Sequence, residues 1–437
     1  MNNALTQPLP PTPPGLQALY ETCKKVYPDQ GNPLQVTAVL KFWLGGPDPL
    51  DYISMYANPG SPDLSIPPHW HYVSFGLSDL HGDGRVHQTN DNRCGFGFEM
   101  TFRLKREEEE TAPPTWPAKL LQTLARYVFQ SGNTLCAGDY ASWHYALDNS
   151  ESSIRHMLMA EDPQLTATQT PFGVVNFVQI VGVCAEEVKA AQQWSVPGVL
   201  NILKRLRGVG GEWLVTDMRR SKIMQELDPQ CRSEIEHGIR MEGSNLSGVS
   251  TRYLKTGPIV FSDSGEILNR LSTEQTDMYQ SQQSKNPPSF DHQRNVLHQQ
   301  GSSLNITPQD NSLSIFDSLH LCLDAEAGSL LSLALRGRVL HGRHFTFNAI
   351  LDNQVVTLVA PSVAGIFVES KNPYVRHGPW TQIYIPSDFA TEMAATLDVL
   401  TSSELTLPTT FHWEKRKLAI TIECDEYIDG MKPPSPL

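Results

Sequence analysis

A histidine-rich segment, HWHYVSFGLSDLHGDGRVH, contains the residues of this sequence that most resemble the metal ligands of an enzyme. His69 and His71 are spaced as His-X-His, so on a strand both side chains project to one face. With Glu99 from a partner strand, they would supply the nitrogen and oxygen ligands that zinc or iron binds. The alternative is a hydrogen-bonded structural cluster with Trp70 and Tyr72. The segment therefore leaves a metal-dependent enzyme open, although the neighbouring aromatic residues favour the structural cluster.

Other signatures of catalysis are missing from the sequence. It has no Gly-X-Ser-X-Gly nucleophile elbow, no phosphate-binding loop and no dinucleotide fingerprint. Cys136 and Cys184 have no adjacent base in the sequence, so neither is supported as a nucleophile. The run EEEE at residues 107–110 is typical of a solvated loop. We therefore predict no catalytic residue and no cofactor.

Two further segments combine groups that could bind a partner. Residues 136–163, CAGDYASWHYALDNSESSIRHMLMAEDP, mix aromatic residues with carboxylates such as Asp139 and Glu161. We interpret this segment as a weakly structured recognition loop, and the alternative is a loop that caps the core through Trp143. Residues 335–345, LRGRVLHGRHF, contain three arginines and two histidines. They indicate either an anion or peptide site or the solvent face of an antiparallel strand.

The bulk properties restrict the class of protein. The chain has 437 residues, more than one hydrophobic core usually holds, which predicts two domains. Its net charge of −13 argues against direct nucleic-acid binding but allows a basic protein partner. Seven widely spaced cysteines without a Cys-X-X-Cys pair favour a reducing compartment. We expect a soluble intracellular protein without a membrane partner, because no apolar run approaches the roughly 20 residues that span a bilayer.

Residues 14–252 have interleaved strand and helix patterns, which predict an N-terminal α/β domain that follows a disordered tail at 1–13. The long apolar run FGVVNFVQIVGVCA predicts a central strand that is covered on both sides. Helices are predicted in PPGLQALYETCKKVYPDQ, WPAKLLQTLARYVFQSG and CAEEVKAAQQWSVPGVLNILKRL. Further strands are predicted in LQVTAVLKFWL, HWHYVSFGL, FGFEMTFRLK and GEWLVTDM.

Residues 253–312 are predicted to form a hinge and a disordered insert, because Ser272–Ser312 are rich in Gln, Ser, Asn and Asp. A C-terminal α+β domain follows at 313–424, and a tail at 425–437. Strands of this domain are predicted in SLHLCLD, LLSLALRGRVLHGRHFTFNAI, NQVVTLVAP, GIFVES, WTQIYIP and KRKLAITIEC, and a helix in SDFATEMAATLDVLTS. The sequence thus predicts two mixed-sheet domains, α/β and α+β.

Long strings of the sequence resemble the Suppressor of fused family over both predicted domains, across most of residues 14–422. They are YPDQGNPLQVTAVLKFWLGGPDPLDYISMY, IPPHWHYVSFGLSDLHGDGRVH, APPTWPAKLLQTLARYVFQSGNTLC, TPFGVVNFVQIVGVC, WLVTDMRR, GSNLSGVS and LRGRVLHGRHFT.

The resemblance implies a non-enzymatic negative regulator of Hedgehog signalling. Such a protein binds zinc-finger transcription factors of the Gli/Cubitus interruptus type, holds them in the cytoplasm and acts as a corepressor in the nucleus. Two domains joined by a flexible connection would close on a Ser-Tyr-Gly-His-Leu segment, which adds as a strand between them. The family is also linked to the Fused kinase complex. The insert of this chain lacks the Ser-rich, Lys/Arg-flanked stretch of some relatives.

The resemblance also implies four peptide-binding residues: Tyr127, Asp139, Glu161 and Leu330. Asp139 would accept a hydrogen bond from the peptide histidine, and Tyr127 would offer ring packing and a phenol hydrogen bond. Leu330 would pack against apolar peptide atoms, and Glu161 would add a solvated charge at the rim. In this family no metal chemistry is expected, so the His-X-His pair is interpreted as structural.

Overall fold

A computed structural model describes residues 12–87, 94–143, 145–206, 208–221, 223–262, 265, 267–268, 313–350, 354–401 and 405–424. The chain divides into two compact units, Met1–Ala191 with Ser195–Ile235, and Gln192–Trp194 with Glu236–Leu437. Most of the predicted disordered insert, residues 1–11 of the predicted N-terminal tail and the whole predicted tail at 425–437 lie outside the described residues.

The first unit is built on one large sheet. Its strands are β1 (Leu34–Thr37), β2 (Tyr52–Asn58), β3 (His69–Phe75), β4 (Phe98–Lys105), β5 (Tyr140–Ser142), β6 (His156–Glu161), β7 (Thr168–Thr170) and β8 (Gly173–Val183). The helices up to residue 242 are α1 (Pro14–Val26), α2 (Trp116–Ser131), α3 (Ala185–Gln193), α4 (Val196–Arg205), α5 (Met224–Leu227) and α6 (Gln230–Glu242).

The strand order of this sheet is β1-β2-β3-β4-β8-β6-β5, with β7 paired to β8. Only the pair β4–β8 is parallel among these described strands. Strand β8 is central, and its residues alternate between two hydrophobic clusters: Phe177 faces one, and Val178 and Ile180 face the other. The prediction of a central strand covered on both sides is therefore confirmed.

Helices α1 and α2 cover opposite faces of the sheet. Leu16 and Leu19 of α1 pack into the cluster with Phe177, whereas α2 packs Leu121 and Leu124 into the other, which we call the α2 cluster. Helix α2 has a proline in its first turn and ends at Gly132, whose φ of 71° is left-handed and suits glycine. Both helices were predicted from their apolar spacing.

The second unit contains two sheets and three short helices among its described residues beyond α6. Its strands are β9 (Gly248–Thr251), β10 (Leu254–Gly257), β11 (Leu313–Ile315), β12 (Leu319–Leu323), β13 (Phe345–Ala349), β14 (Val355–Val359), β15 (Tyr374–His377), β16 (Trp380–Tyr384), β17 (Thr409–Trp413) and β18 (Leu418–Ile422). Its helices are α7 (Ala325–Ser329), α8 (Leu331–Gly337) and α9 (Ser387–Leu397).

The two sheets of the second unit have the orders β10-β12-β18-β17 and β11-β15-β16-β14-β13-β9. One hydrophobic core joins them with helices α8 and α9. It includes Leu321 of β12, Phe347 of β13, Leu335 of α8 and Phe389 of α9, all of which are at most 1% exposed. Parallel and antiparallel pairs occur in both sheets, so the predicted class of two mixed-sheet domains is confirmed.

Strand pairing divides the chain earlier than the predicted boundary at residue 252. Strand β9 pairs in parallel with β13, and β10 pairs with β12, so both belong to the second unit. A boundary based on composition placed residues 236–252 in the first domain, because a change in composition marks the insert and not the strand pairing.

Several predicted elements differ in the structure. GEWLVTDM contains a single 3-10 turn, Gly211–Trp213, and GIFVES contains no strand. LLSLALRGRVLHGRHFTFNAI was predicted as strands, but it contains α8 and a 3-10 turn before β13 starts at Phe345. Short apolar runs fit a buried helix as well as a strand, and here a helix buries Leu331, Ala334 and Leu335 in the core. The other 3-10 turns among the described residues are Phe42–Leu44, Pro62–Leu64, Asp398–Thr401 and Glu414–Arg416.

No helix among the described residues is both long and apolar enough to span a bilayer.

Candidate functional site

The two histidines of β3 are buried in a polar network on one face of the first sheet. His69 Nδ1 lies 2.8 Å from Pro67 O, and its Nε2 lies 2.9 Å from Arg103 Nη1. His71 Nδ1 lies 2.7 Å from the Tyr27 hydroxyl. All four ring nitrogens of the pair therefore have protein partners, since His71 Nε2 lies 3.0 Å from a carboxylate oxygen of Asp162.

Arg103 and Asp162 form the charged centre of this network, and both side chains are fully buried. Arg103 Nη2 donates to both Asp162 oxygens at 2.8 and 3.1 Å. The remaining guanidinium nitrogens donate to the side-chain oxygens of Gln164 and Gln179 and to His69. Asp162 also accepts the hydroxyl of Thr101 at 2.8 Å and two backbone N–H groups. A buried ion pair of this kind is tolerated because every polar group is satisfied.

The hydrogen-bond partners determine the tautomers of both histidines. Arg103 can only donate, so His69 Nε2 accepts and its Nδ1–H donates to the Pro67 carbonyl. Burial lowers the pKa of His69 to about 3 and that of His71 to about 4, with Arg103 adding to both shifts. His71 is therefore neutral: its Nε2–H donates to Asp162 and its Nδ1 accepts from Tyr27. Burial opposes ionisation of Asp162, but His71 and Arg103 hold its pKa well below the usual range.

Glu99 does not join the histidines. Its carboxylate accepts the hydroxyls of Ser74 and Ser78, both at 2.6 Å, and the backbone N–H groups of Gly76 and Ser78, both at 2.9 Å. Burial raises the pKa of Glu99 to about 7 although these donors lower it. The metal hypothesis for these three residues is therefore wrong in its geometry, and no cluster of metal-ligand type occurs among the described residues.

The ring neighbours of the histidines also differ from the prediction. Alternation along β3 places Trp70 and Tyr72 on the opposite face, in the α2 cluster. The ring centroid of His69 lies 5.9 Å from that of Trp213, and the ring centroid of His71 lies 5.8 Å from that of Tyr27. The cluster is structural as expected, but its partners come from distant parts of the chain.

The basic segment of the second unit is also held by internal contacts. Arg336 pairs with Asp398, and Arg338 donates to the carbonyls of Ser244 and His344. Arg343 donates to the Glu242 carbonyl at the end of α6. These contacts cap a helix end and fix the chain that follows it, so the geometry does not favour an anion site.

Two of the four expected peptide-binding residues lie side by side at the end of the first sheet. Asp139 directly precedes β5, the last strand in the order, and its carbonyl accepts the Met159 N–H at 2.9 Å. Glu161 follows Met159 by two positions on β6, so its backbone groups point to the same edge. The prediction of residues 136–163 as a weakly structured loop is wrong, because they contain β5 and the buried core strand β6.

The Asp139 carboxylate has a structural contact of its own. Its Oδ2 accepts the backbone N–H of Cys136 at 2.7 Å, which closes the turn before β5. Glu161 is exposed, whereas Asp139 is half-buried. The Asp139 carboxylate is therefore held by the backbone around it, whereas the Glu161 carboxylate is solvated at the rim.

Tyr127 lies on α2 and packs against the α2 cluster, as do Ala141 and Trp143 of the edge segment. Met157 and Met159 of β6 belong to the same cluster. Alternation along β5 and β6 therefore puts Asp139 and Glu161 on the face of the sheet that carries Tyr127. The structure therefore places these three residues on one face of the sheet, with Asp139 and Glu161 at the β5 edge, and they form the candidate site of the first unit.

Leu330, the fourth expected residue, lies in the second unit between α7 and α8 and is 9% exposed. Helix α7 packs near β9, the edge strand of the six-stranded sheet. The buried carboxylate of Asp324 connects helix α7 with the end of strand β9. Its Oδ1 caps α7 at Ala327 N, and its Oδ2 accepts the Thr251 hydroxyl and the N–H of Arg252 and Tyr253.

Two residues that hold these sites, Arg103 and Asp324, were not predicted from the sequence. An acidic residue directly before the helix AEAGS is an N-cap signal that could have identified Asp324. Arg103 carries no such signal, because its partners lie more than thirty positions away.

Comparisons with known proteins agree over both units. A family model described as "Suppressor of fused protein (SUFU)" matches residues 46–221. A second, described as "Suppressor of Fused Gli/Ci N terminal binding domain", matches residues 233–422. The human and mouse proteins called Suppressor of fused homolog are each 48% identical to the chain over 449 residues, covering 95% of this chain and 93% of the relative.

Solved structures are also similar. The crystal structure of Drosophila Suppressor of Fused has a TM-score of 0.73 and 39% identity, covering 94% of this chain and 97% of the other. A structure described as the Sufu-Fu complex has a TM-score of 0.50 and 51% identity, covering 52% of this chain and 98% of the other. Sequence and fold thus agree over nearly the whole length, and the chain belongs to the Suppressor of fused family of Hedgehog-pathway regulators.

Proposed function

We propose that this protein is a negative regulator of Hedgehog signalling that binds and sequesters a Gli/Cubitus interruptus transcription factor. A Ser-Tyr-Gly-His-Leu segment of the factor adds as a β-strand and pairs with an edge strand of each unit. The protein works by binding and not by catalysis. It retains the factor in the cytoplasm and acts as a corepressor in the nucleus.

The observation that carries this proposal is that Asp139 and Glu161 lie together at the β5 edge, on the face of the sheet against which Tyr127 also packs. A sheet edge offers backbone N–H and C=O groups to an extended peptide, and neighbouring side chains supply specificity. A carboxylate beside this edge suits a peptide histidine, since an imidazole N–H donates well to an anion. The net charge of −13 also suits a basic partner.

In the second unit the corresponding edge is β9, with Leu330 close to the helix that packs near it. The matching family model over residues 233–422 is described as a Gli/Ci N terminal binding domain, which supports the choice of partner. Leu330 would contribute an apolar contact, and main-chain pairing with β9 would contribute affinity that does not depend on side chains.

Calorimetric titration of a peptide that contains Ser-Tyr-Gly-His-Leu tests the proposal. Asp139→Asn keeps an oxygen for the Cys136 N–H but removes the charge, so the turn before β5 is preserved. We expect this variant to bind about tenfold more weakly or worse, because a hydrogen bond to a charged group contributes about 1.5–3 kcal/mol. Asp139→Arg would be less informative because it also breaks the turn.

A matched control is Asp228→Asn. Asp228 is also half-buried and accepts a local backbone N–H, that of Gln230, but it lies outside the candidate site. This variant should bind the peptide as the wild type does. A wild-type protein that fails to bind the peptide would refute the proposed function, and equal binding by Asp139→Asn would remove Asp139 from the site.

We infer a second partner, the Fused kinase complex, from the similarity to the structure described as the Sufu-Fu complex. Its 51% identity over half of this chain supports the same kind of association here. Co-purification of a Fused segment with this protein, with and without the Ser-Tyr-Gly-His-Leu peptide, tests it. Co-purification in both conditions would indicate separate surfaces, and failure in both would contradict this inference.

A further inference from the structure

The hydroxyl of Tyr127 is held by a short chain of hydrogen bonds at the end of α2. Asn133 Nδ2 donates to the Tyr127 hydroxyl oxygen at 3.0 Å. The Asn133 backbone N–H donates to Ser131 Oγ at 3.1 Å, and Ser131 Oγ donates to the Tyr127 carbonyl at 2.7 Å. The turn after the helix is thus anchored to both the backbone and the side chain of Tyr127.

This arrangement fixes the direction of the Tyr127 hydroxyl. An amide nitrogen carries two hydrogens and has no lone pair to offer, so the hydroxyl oxygen is the acceptor in this bond. The hydroxyl hydrogen must then point away from Asn133. Tyr127 is one of the residues expected to contact the bound segment, and its hydroxyl hydrogen is not used by Asn133.

We propose that Asn133 is a positioning residue that presents the Tyr127 hydroxyl as a hydrogen-bond donor to the bound segment. This inference rests on the proposed function and adds the direction of two hydrogen bonds to it. Asp139 accepts from the peptide, whereas Tyr127 donates to it. The group that Tyr127 recognises is therefore an acceptor on the segment, either a backbone carbonyl or an imidazole nitrogen without hydrogen.

A double-mutant cycle with the Ser-Tyr-Gly-His-Leu peptide tests the inference. Tyr127→Phe removes the donor and should weaken binding about tenfold. Asn133→Asp places an acceptor where the donor was, so the Tyr127 hydrogen turns toward it and binding should weaken to a similar extent. In the Tyr127→Phe background, Asn133→Asp should then have little further effect, because the hydroxyl that it redirects is absent.

The cycle separates positioning from a merely structural role. If Asn133 only folds the turn, its substitution would weaken binding equally with and without the Tyr127 hydroxyl, and such additive losses would overturn the inference. Asn133→Ala removes the donor without adding a charge, so the same cycle can be completed if Asn133→Asp does not fold. Asn32→Asp adds one negative charge at an exposed position of the same unit and should leave binding unchanged.

The peptide titrations also distinguish the two hypotheses. Absence of binding by the wild type would overturn the proposed function and this inference with it. Binding by the wild type with additive losses, or with no loss for Asn133→Asp, would overturn only the role of Asn133. A Tyr127→Phe effect that disappears as the peptide histidine becomes protonated identifies the acceptor as its imidazole, and a constant effect identifies a carbonyl.

Discussion

The histidine strand β3 and the edge strand β5 belong to the same sheet but use polar residues in opposite ways. In β3, His69 and His71 are fully buried, and every ring nitrogen contacts another protein group. At the β5 edge, Asp139 is half-buried and Glu161 of the neighbouring β6 is exposed, and β5 has one neighbour among the described strands.

This difference explains why the residues with the most conspicuous chemistry are not the candidate site. A buried imidazole or carboxylate must form its hydrogen bonds with other groups of the protein. Residues of these types therefore resemble a set of metal ligands when only the sequence is known. A sheet edge binds mainly through backbone groups, which leave no residue-specific pattern. The predictions below separate the two regions: variants of the buried network should change stability, and variants of the edges should change peptide binding.

The largest effect is expected for Asp162→Asn. This substitution leaves the fully buried Arg103 without a counter-charge, so the free energy of unfolding should fall by about 3–5 kcal/mol. Urea denaturation followed by tryptophan fluorescence measures it. A loss below about 1 kcal/mol would contradict the account of the network, whereas the folded fraction should still bind the peptide.

The next effect is a pH dependence caused by His71. Its folded-state pKa of about 4 lies below the unfolded value of about 6.5, so the unfolded chain takes up the proton first and stability falls as the pH drops between these values. Over this pH range the free energy of unfolding of the wild type should fall by about 3 kcal/mol more than that of His71→Gln. The difference isolates His71, since His69 and Glu99 are present in both proteins. Parallel stability curves would show that His71 is not buried as a neutral group.

A smaller effect, now on binding, is expected at the second unit. Thr251→Val removes the hydroxyl that ties the end of β9 to Asp324. Peptide affinity should fall about fivefold, corresponding to about 1 kcal/mol. Thr357→Val is the matched control, because it removes a hydroxyl contact from β14, an interior strand of the same sheet. Equal effects of the two variants on calorimetric affinity would argue against a role for the β9 edge.

The smallest effect is expected for Glu161→Gln. A solvated rim charge contributes about 0.5 kcal/mol, and the contribution should disappear at high salt. Titrations at low and high ionic strength measure it, with Glu109→Gln, an exposed loop residue of the same unit, as the control. A loss that persists unchanged at high salt would mean that Glu161 makes a desolvated contact.

The long elements of the fold were predictable from the sequence. Helix α2 and strand β8 have enough residues for their periodicity to be unambiguous. Strand β5 has three residues and α8 has seven, so their patterns fit more than one structure. Tertiary packing determined those elements, and no local signal could replace it.

The candidate site was predictable in part. Tyr127, Asp139, Glu161 and Leu330 came from the resemblance, and their roles remain predictions. Composition alone selected the segment with Asp139 but assigned it to a loop. The contacts that hold the site, such as Asn133 to Tyr127, depend on the turn that follows α2 and required the structure.

Hydrogen–deuterium exchange with and without the Ser-Tyr-Gly-His-Leu peptide tests the central claim most directly, because strand addition protects backbone amides at a sheet edge. The account predicts slower exchange in Tyr140–Ser142 and Gly248–Thr251 when the peptide is bound, and no change in His69–Phe75. Peptide binding that leaves both edges unprotected would contradict it.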